Sequence, residues 1–206
     1  MLTAIKSFLR DRMYGEPVII VSGLPRSGTS MMMKMLDATG VAPMTDGERV
    51  ADVDNPKGYF EYERVKDLEK ETDKSYVAQG RGKVLKVISF LLPFLPDDNQ
   101  YRVIFMRRDL DEVLKSQGKM IDRLVGQDST DDEVVKEAYR NDIIRSRLFC
   151  RKKDNFEMIE VHYKTTVNDP ETTARQVNEF LGGTLDVRKM AQVVDPDLYR
   201  NRGTQA

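Results

Sequence analysis

The order of apolar runs predicts an α/β protein: a mostly parallel sheet covered by helices on both faces, in three layers (α/β/α). Three observations carry that expectation. Short β-rich runs at 18–21, 84–88, 103–106 and 158–161 alternate with helical patterns at 29–39, 60–73, 110–125, 131–152 and 170–181, the rhythm of parallel strands joined by crossover helices. The first run passes straight into a loop bounded by Gly23 and Gly28, and then into a helical pattern. Finally, 206 residues with 40% hydrophobic content suit a single domain, spanning 1–206, with a sizeable core.

Along the chain, residues 1–14 set Leu2, Ile5, Phe8 and Leu9 against Lys6, Arg10 and Arg12. They read as a short amphipathic helix without the apolar stretch and cleavage site of a signal peptide. Met31, Met32, Met33 and Met35 fill the core side of the 29–39 helix. Residues 40–59, with Gly40, Pro43, Gly47, Asn55, Pro56 and Gly58, form a connection long enough to suggest function or disorder. The helix expected over 60–73 is anchored by Phe60, Tyr62, Val65 and Leu68. Thr130 and Glu133 offer a capping box to the 131–152 helix. That helix carries Val134, Val135, Ala138, Ile143, Ile144 and Leu148 as an expected core stripe. Its basic end, Arg145 to Lys153, reads as a solvated terminus that suits the helix dipole. Asp169 and Pro170 cap and start the 170–181 helix. The tail at 201–206 is expected to be flexible.

Lys plus Arg (33) nearly balances Asp plus Glu (34), so nothing global points to nucleic acid or an anionic membrane. The one cysteine, Cys150, excludes an internal disulfide and fits a reducing compartment. The longest apolar run, 87–95, is broken by Pro93 and is too short to cross a bilayer. Together these predict a cytoplasmic protein with no integral membrane association.

The loop carries the chemistry. Gly23 and Gly28 frame the interval of the nucleotide-binding pattern G-x-x-x-x-G-K-[ST], but Thr29 stands where that pattern has lysine, and the cation sits earlier, at Arg26. Amides at the start of the following helix point at a bound anion, helped by the helix dipole. Ser27, Thr29 and Ser30 add hydroxyl donors, and Arg26 can grip an oxyanion bidentately. A magnesium-dependent kinase also wants an acidic residue ending a neighbouring strand. Here the 103–106 strand ends in Arg107 and Arg108, with Asp109 expected as a helix cap or ion-pair partner. The expectation is a nucleotide with an extra anionic group, held by arginine and needing no metal.

The segment Pro25-Arg26-Ser27-Gly28-Thr29-Ser30 resembles the 5′-phosphosulfate loop of sulfotransferases that use 3′-phosphoadenosine 5′-phosphosulfate (PAPS), in the arginine-bearing form of tyrosylprotein sulfotransferases and bacterial homologues. Arg108 and Ser116, eight residues apart, are similar to that family's pair on the nucleotide 3′-phosphate, although Leu110 replaces a common proline. Tyr163, in a segment running through Asp169-Pro170 to Phe180-Leu181-Gly182, takes the place of the family's tyrosine near the adenine, with Lys164 departing from the usual acidic residue. Residues 54–61 resemble the substrate-side segment of bacterial members. The resemblance implies a P-loop NTPase-like sulfotransferase fold, PAPS as donor, 3′,5′-adenosine bisphosphate as product, and a hydroxyl or amine acceptor on a small molecule, carbohydrate, lipid or peptide. Pro25, Arg26, Ser27, Gly28, Thr29, Ser30, Arg108, Ser116 and Tyr163 are the implied nucleotide-binding set. Lys119 adds charge, and Met31 falls near the adenine.

For a general base, the resemblance favours a carboxylate shortly after the loop. Asp46 and Glu48 bracket that distance, and Glu61 is the next choice. His162 is expected to be a strand residue beside Val161 and Tyr163. Nothing in 185–206 matches the family's glycine-rich closing segment, which leaves either an open site or a cover from 120–130. Two rival readings are a P-loop small-molecule kinase and a catalytically degenerate nucleotide-binding member.

Overall fold

The structure is a computed structural model that describes residue 10 and residues 12–46, 60–124 and 132–195. Most of the 1–14 helix, the 47–59 connection with Glu48, Thr130, and the 201–206 tail lie outside the described residues, as do the side chains of 119–124. Four strands form one parallel sheet in the order β2-β1-β3-β4: β1 Val18–Gly23, β2 Val84–Lys86, β3 Tyr101–Arg107 and β4 Phe156–His162. The helices are α1 Thr29–Asp37, α2 Leu110–Leu124, α3 Asp132–Lys152, α4 Tyr163–Asn168, α5 Pro170–Leu181 and α6 Val187–Gln192. Strand alternation builds the three expected layers. Val18, Ile20, Val103 and Phe105 pack with Ile143 and Cys150 of α3, while Val21, Ile104 and Met106 pack with Met32, Met33, Met35 and Leu36 of α1 and Val177 of α5.

The chain leaves β1 for β2 on one side and finds β3 on the other, so β1 and β3 flank the switch point of the sheet. Open α/β sheets bind ligands there, beyond the carboxyl ends of the strands. The glycine-bounded loop follows β1 at that place.

Several expectations are corrected. Residues 60–73 form no α-helix; Glu63–Asp67 is a single 3-10 turn, preceded by Phe60 at φ 52°. Tyr62, Val65 and Leu68 recur at a strict interval of three, the repeat of a 3-10 turn in which every third side chain eclipses. The anchoring is as expected, with Val65 and Leu68 buried. Tyr163 is not a strand residue: β4 ends at His162 and Tyr163 opens α4. The stripe on α3 is largely outward, because only Ile143 of the six is buried and Val134, Ile144 and Leu148 are exposed. The buried face is carried instead by Ile143, Ser146 and Cys150. Burial pushes the Cys150 thiol up to about 12, so the cysteine is an inert core residue.

Candidate nucleotide site

Gly23 and Gly28 are required by sterics. At Gly23 (φ 141°) an added Cβ would lie 2.6 Å from both the Met106 carbonyl oxygen and Ser27 Oγ. At Gly28 (φ 101°) it would collide with Tyr163 Cδ2 and sit 3.0 Å from Cε2. The Tyr163 ring therefore lies directly against the loop backbone, an approach that a side chain on residue 28 forbids. Arg26 is also left-handed, at φ 65°, which reverses the chain between the strand and α1.

Three elements converge on this loop. Arg26 Nε donates to Ser116 Oγ on α2 at 3.0 Å. Arg108, just past β3, donates from Nη1 to the Arg26 carbonyl at 3.1 Å and from Nε to Glu112 Oε2 at 2.9 Å. Its guanidinium stacks over the Tyr163 ring, 4.3 Å from the centroid, an arrangement that suits a flat cation on an aromatic face. Burial pushes the Tyr163 phenol up, while the Arg108 cation pulls it the other way. Residues separate in sequence, Arg26, Gly28, Arg108, Ser116 and Tyr163, are thus brought together. Ser27 and Thr29 are buried, Pro25 and Ser30 half-buried, and Ser27 Oγ has no hydrogen-bond partner among the described residues.

A second group lies on the β2 side. Lys86 ends β2 in register with Val21. Its ammonium donates to Ser30 Oγ at 3.3 Å and to Glu61 Oε1 at 3.2 Å. Lys66 approaches the other Glu61 oxygen at 3.4 Å. Glu61 is therefore joined to the first turn of α1 through one lysine. Asp46 has a different placement: its Oδ2 accepts from the Glu63 amide at 2.5 Å and caps the 3-10 turn. His162 is exposed at the end of β4.

Sequence reasoning missed Lys86 and Glu112. Lys86 had one available signal, a cation closing an apolar strand at the carboxyl edge of the sheet. Glu112 had another, the i,i+4 spacing from Arg108. Asp109 caps α2, its Oδ1 accepting from the Asp111 and Glu112 amides at 2.9 and 3.2 Å. Arg107 turns away from the loop to donate to Glu160 at 2.7 Å. The basic end of α3 also lies elsewhere. Arg10, Arg147, Arg151 and Lys153 line a cavity of about 490 Å³ with Phe156 at the start of β4, and Arg147 and Lys153 already pair with Glu160 and Asp97.

Fold and cluster define the class first: an α/β protein with a loop suited to anions at the carboxyl edge of a parallel sheet, flanked by two arginines. Residues 81–186 match the family model described as Sulfotransferase family. The chain belongs to that family, whose chemistry is sulfuryl transfer. Arg108, Ser116, Tyr163 and Lys86 fall within the matched residues, and the loop at 23–28 precedes them. No curated protein matches the sequence significantly. The structure is similar to the sulfotransferase domain of the Synechococcus PCC 7002 olefin synthase, at 16% identity and TM-score 0.54 over 93% of this chain and 90% of that one. It is similar to sulfotransferase STF9 from Mycobacterium avium at 17% identity and TM-score 0.54, over 86% and 67%. It also resembles mouse sulfotransferase SULT7A1 complexed with PAP, at 13% identity and TM-score 0.50 over 90% and 68%. At these identities the likeness is one of fold. Among the described residues no helix is long and apolar enough to cross a membrane, and no group of three His, Cys, Asp or Glu side chains forms a metal cluster.

Proposed function

We propose that this protein is a PAPS-dependent sulfotransferase that moves a sulfuryl group to a hydroxyl or amine acceptor by in-line displacement. The observation that carries this reading is the convergence of Arg26, Arg108, Ser116 and Tyr163 on the loop around Gly28. The donor set fits the nucleotide chemically. Two guanidiniums suit two separate phosphates, the buried Ser27 hydroxyl lacks a described partner, and Gly28 admits an aromatic ring to the loop. The bisphosphate bound by the mouse relative supports the same ligand class here.

Bound PAPS supplies a sulfuryl group activated by its anhydride link to the 5′-phosphate. Arg26 and the first-turn amides of α1 balance charge on the 5′ side. Arg108 and Ser116 hold the 3′-phosphate, and Tyr163 lies beside the adenine. Glu61 takes the proton of the acceptor, and Lys86, between Glu61 and Ser30, adds a cation close to the reacting end. Positioning and charge balance therefore supply most of the catalysis.

Calorimetry with 3′,5′-adenosine bisphosphate and with ATP, each with and without magnesium, tests the donor. The expected result is bisphosphate binding that is indifferent to magnesium. Magnesium-dependent ATP binding without bisphosphate binding favours a kinase and overturns the proposal. Binding without sulfuryl transfer to a broad acceptor panel identifies a degenerate member. For the base, Glu61→Gln is expected to lower kcat about 10²- to 10⁴-fold with bisphosphate affinity retained. Asp46→Asn, at the carboxylate that caps the 3-10 turn, leaves kcat within a few-fold. The reverse ranking assigns the base to Asp46.

A further inference from the structure

Helix α2 carries two acids in its first turn, Asp111 and Glu112, and the fold treats them differently. Asp111 is exposed and pairs with Lys136 at 2.6 Å, an ordinary use of a carboxylate near a helix N-terminus. Glu112 is only 5% exposed. Burying a carboxylate is costly unless a cation and hydrogen bonds offset the loss of water, so the helix dipole alone does not account for its place. Its amide donates to the Asp109 cap at 3.2 Å, which fixes the start of the helix. Ser116, also 5% exposed, lies one turn further along the same face. Glu112 Oε2 accepts from Arg108 Nε at 2.9 Å. Nη1 of the same guanidinium donates to the Arg26 carbonyl at 3.1 Å, and its face lies on the Tyr163 ring. Edge, end and face of the arginine fork are thus held by α2, the loop and α4 in turn.

We propose, building on the assignment of the 3′-phosphate to Arg108 and Ser116, that Glu112 is a positioning residue which sets selectivity for nucleotides bearing that phosphate. By holding Nε it aims the Arg108 fork at the phosphate, beside the Ser116 hydroxyl one turn away. A guanidinium recognises an oxyanion through a planar fork, so a rotation misdirects its N–H groups while leaving the charge where it was. The carboxylate offers the ligand no attraction of its own, since its charge repels a phosphate. Its contribution is the geometry it imposes on the arginine before the nucleotide arrives, which removes the need to order that side chain on binding. The 5′ side of the site has other supports. Arg26 Nε donates to Ser116 Oγ, and the Ser27 amide donates to the Leu24 carbonyl at 3.2 Å. A change at Glu112 therefore acts on the 3′ end of the nucleotide and largely spares the 5′ end.

Two variants close in volume to the parent separate reach from charge. Glu112→Gln keeps the length and an oxygen acceptor for Nε but drops the charge. Glu112→Asp keeps the charge but is one methylene short of Nε. Calorimetry on the full chain measures the Kd of 3′,5′-adenosine bisphosphate and of adenosine 5′-phosphate, and the ratio of the two reads 3′-phosphate selectivity. The parent is expected to favour the bisphosphate, and Glu112→Gln to keep that preference. Glu112→Asp is expected to reduce the ratio about tenfold, the loss of one hydrogen bond to a charged group, with the affinity for adenosine 5′-phosphate unchanged. Equal weakening of both nucleotides by Glu112→Asp makes the residue a structural one and overturns the proposal. A ratio that the two variants lose or keep alike, or a reversed ranking in which charge and not reach decides, overturns it as well. A parent that binds both nucleotides equally removes the 3′-phosphate assignment itself, and the role of Glu112 with it.

Discussion

Arg26→Ala is expected to lower kcat/KM for sulfuryl transfer by two to three powers of ten, a loss of about 3 kcal/mol of transition-state stabilisation for one charge-stabilising donor. The guanidinium reaches the site from a left-handed residue between strand and helix, with Nε already directed at Ser116 Oγ, 3.0 Å away. Arg26→Lys keeps the charge but not the planar fork, so it recovers only part of the rate. The measurement is release of 3′,5′-adenosine bisphosphate from PAPS with a panel of phenol, carbohydrate and amine acceptors. Bisphosphate affinity should also fall, since the product keeps the 5′-phosphate beside Arg26, but by less than the rate, because Arg108 still holds the 3′-phosphate in this proposal. An Arg26→Ala protein with unaltered turnover removes the residue from the mechanism.

Arg108→Ala is expected to act on both binding and stability. Arg108 and Glu112 are an ion pair whose side chains are only 8% and 6% exposed, and deleting the arginine leaves the carboxylate buried without its main cation. Breaking such a pair costs about 3–5 kcal/mol, which lowers Tm by roughly 10 °C in a domain of this size. The Tyr163 ring also loses its stacked cation. Arg108→Ala with Glu112→Gln separates the two roles. The double variant regains most of the lost stability, because the orphaned charge is gone, but not the affinity for bisphosphate. Recovery of affinity together with stability means that Arg108 has a structural role alone.

Much of the loop was legible because its geometry depends on local chemistry. A β-rich run entering a loop framed by Gly23 and Gly28, with Arg26 between them and hydroxyls after it, predicts a tight strand-to-helix turn whose backbone and donor types suit an anion. The cap at Asp169 reads the same way: its side chain accepts from the Thr172 amide at 3.1 Å and Pro170 presets the first turn. Where local patterns admitted two answers the reading failed. The interval of three at Tyr62, Val65 and Leu68 fits an α-helix as well as a 3-10 turn when read from the sequence alone. The aliphatics of α3 read as a core stripe, yet they occupy more than one face of the helix and cannot all point inward.

The sequence by itself determined the class of fold and the loop, since strand alternation, glycine backbone freedom and helix starts are settled within a few residues. Only the tertiary structure decided where each charge goes. Arg107 and Arg108 are adjacent in sequence, yet one turns to Glu160 of β4 and the other to the loop. Lys86 and Glu61 meet beside Ser30 only because β2 pairs with β1. Long side chains take their destinations from strand order and from the partners that strand order brings within reach, and those lie far away along the chain.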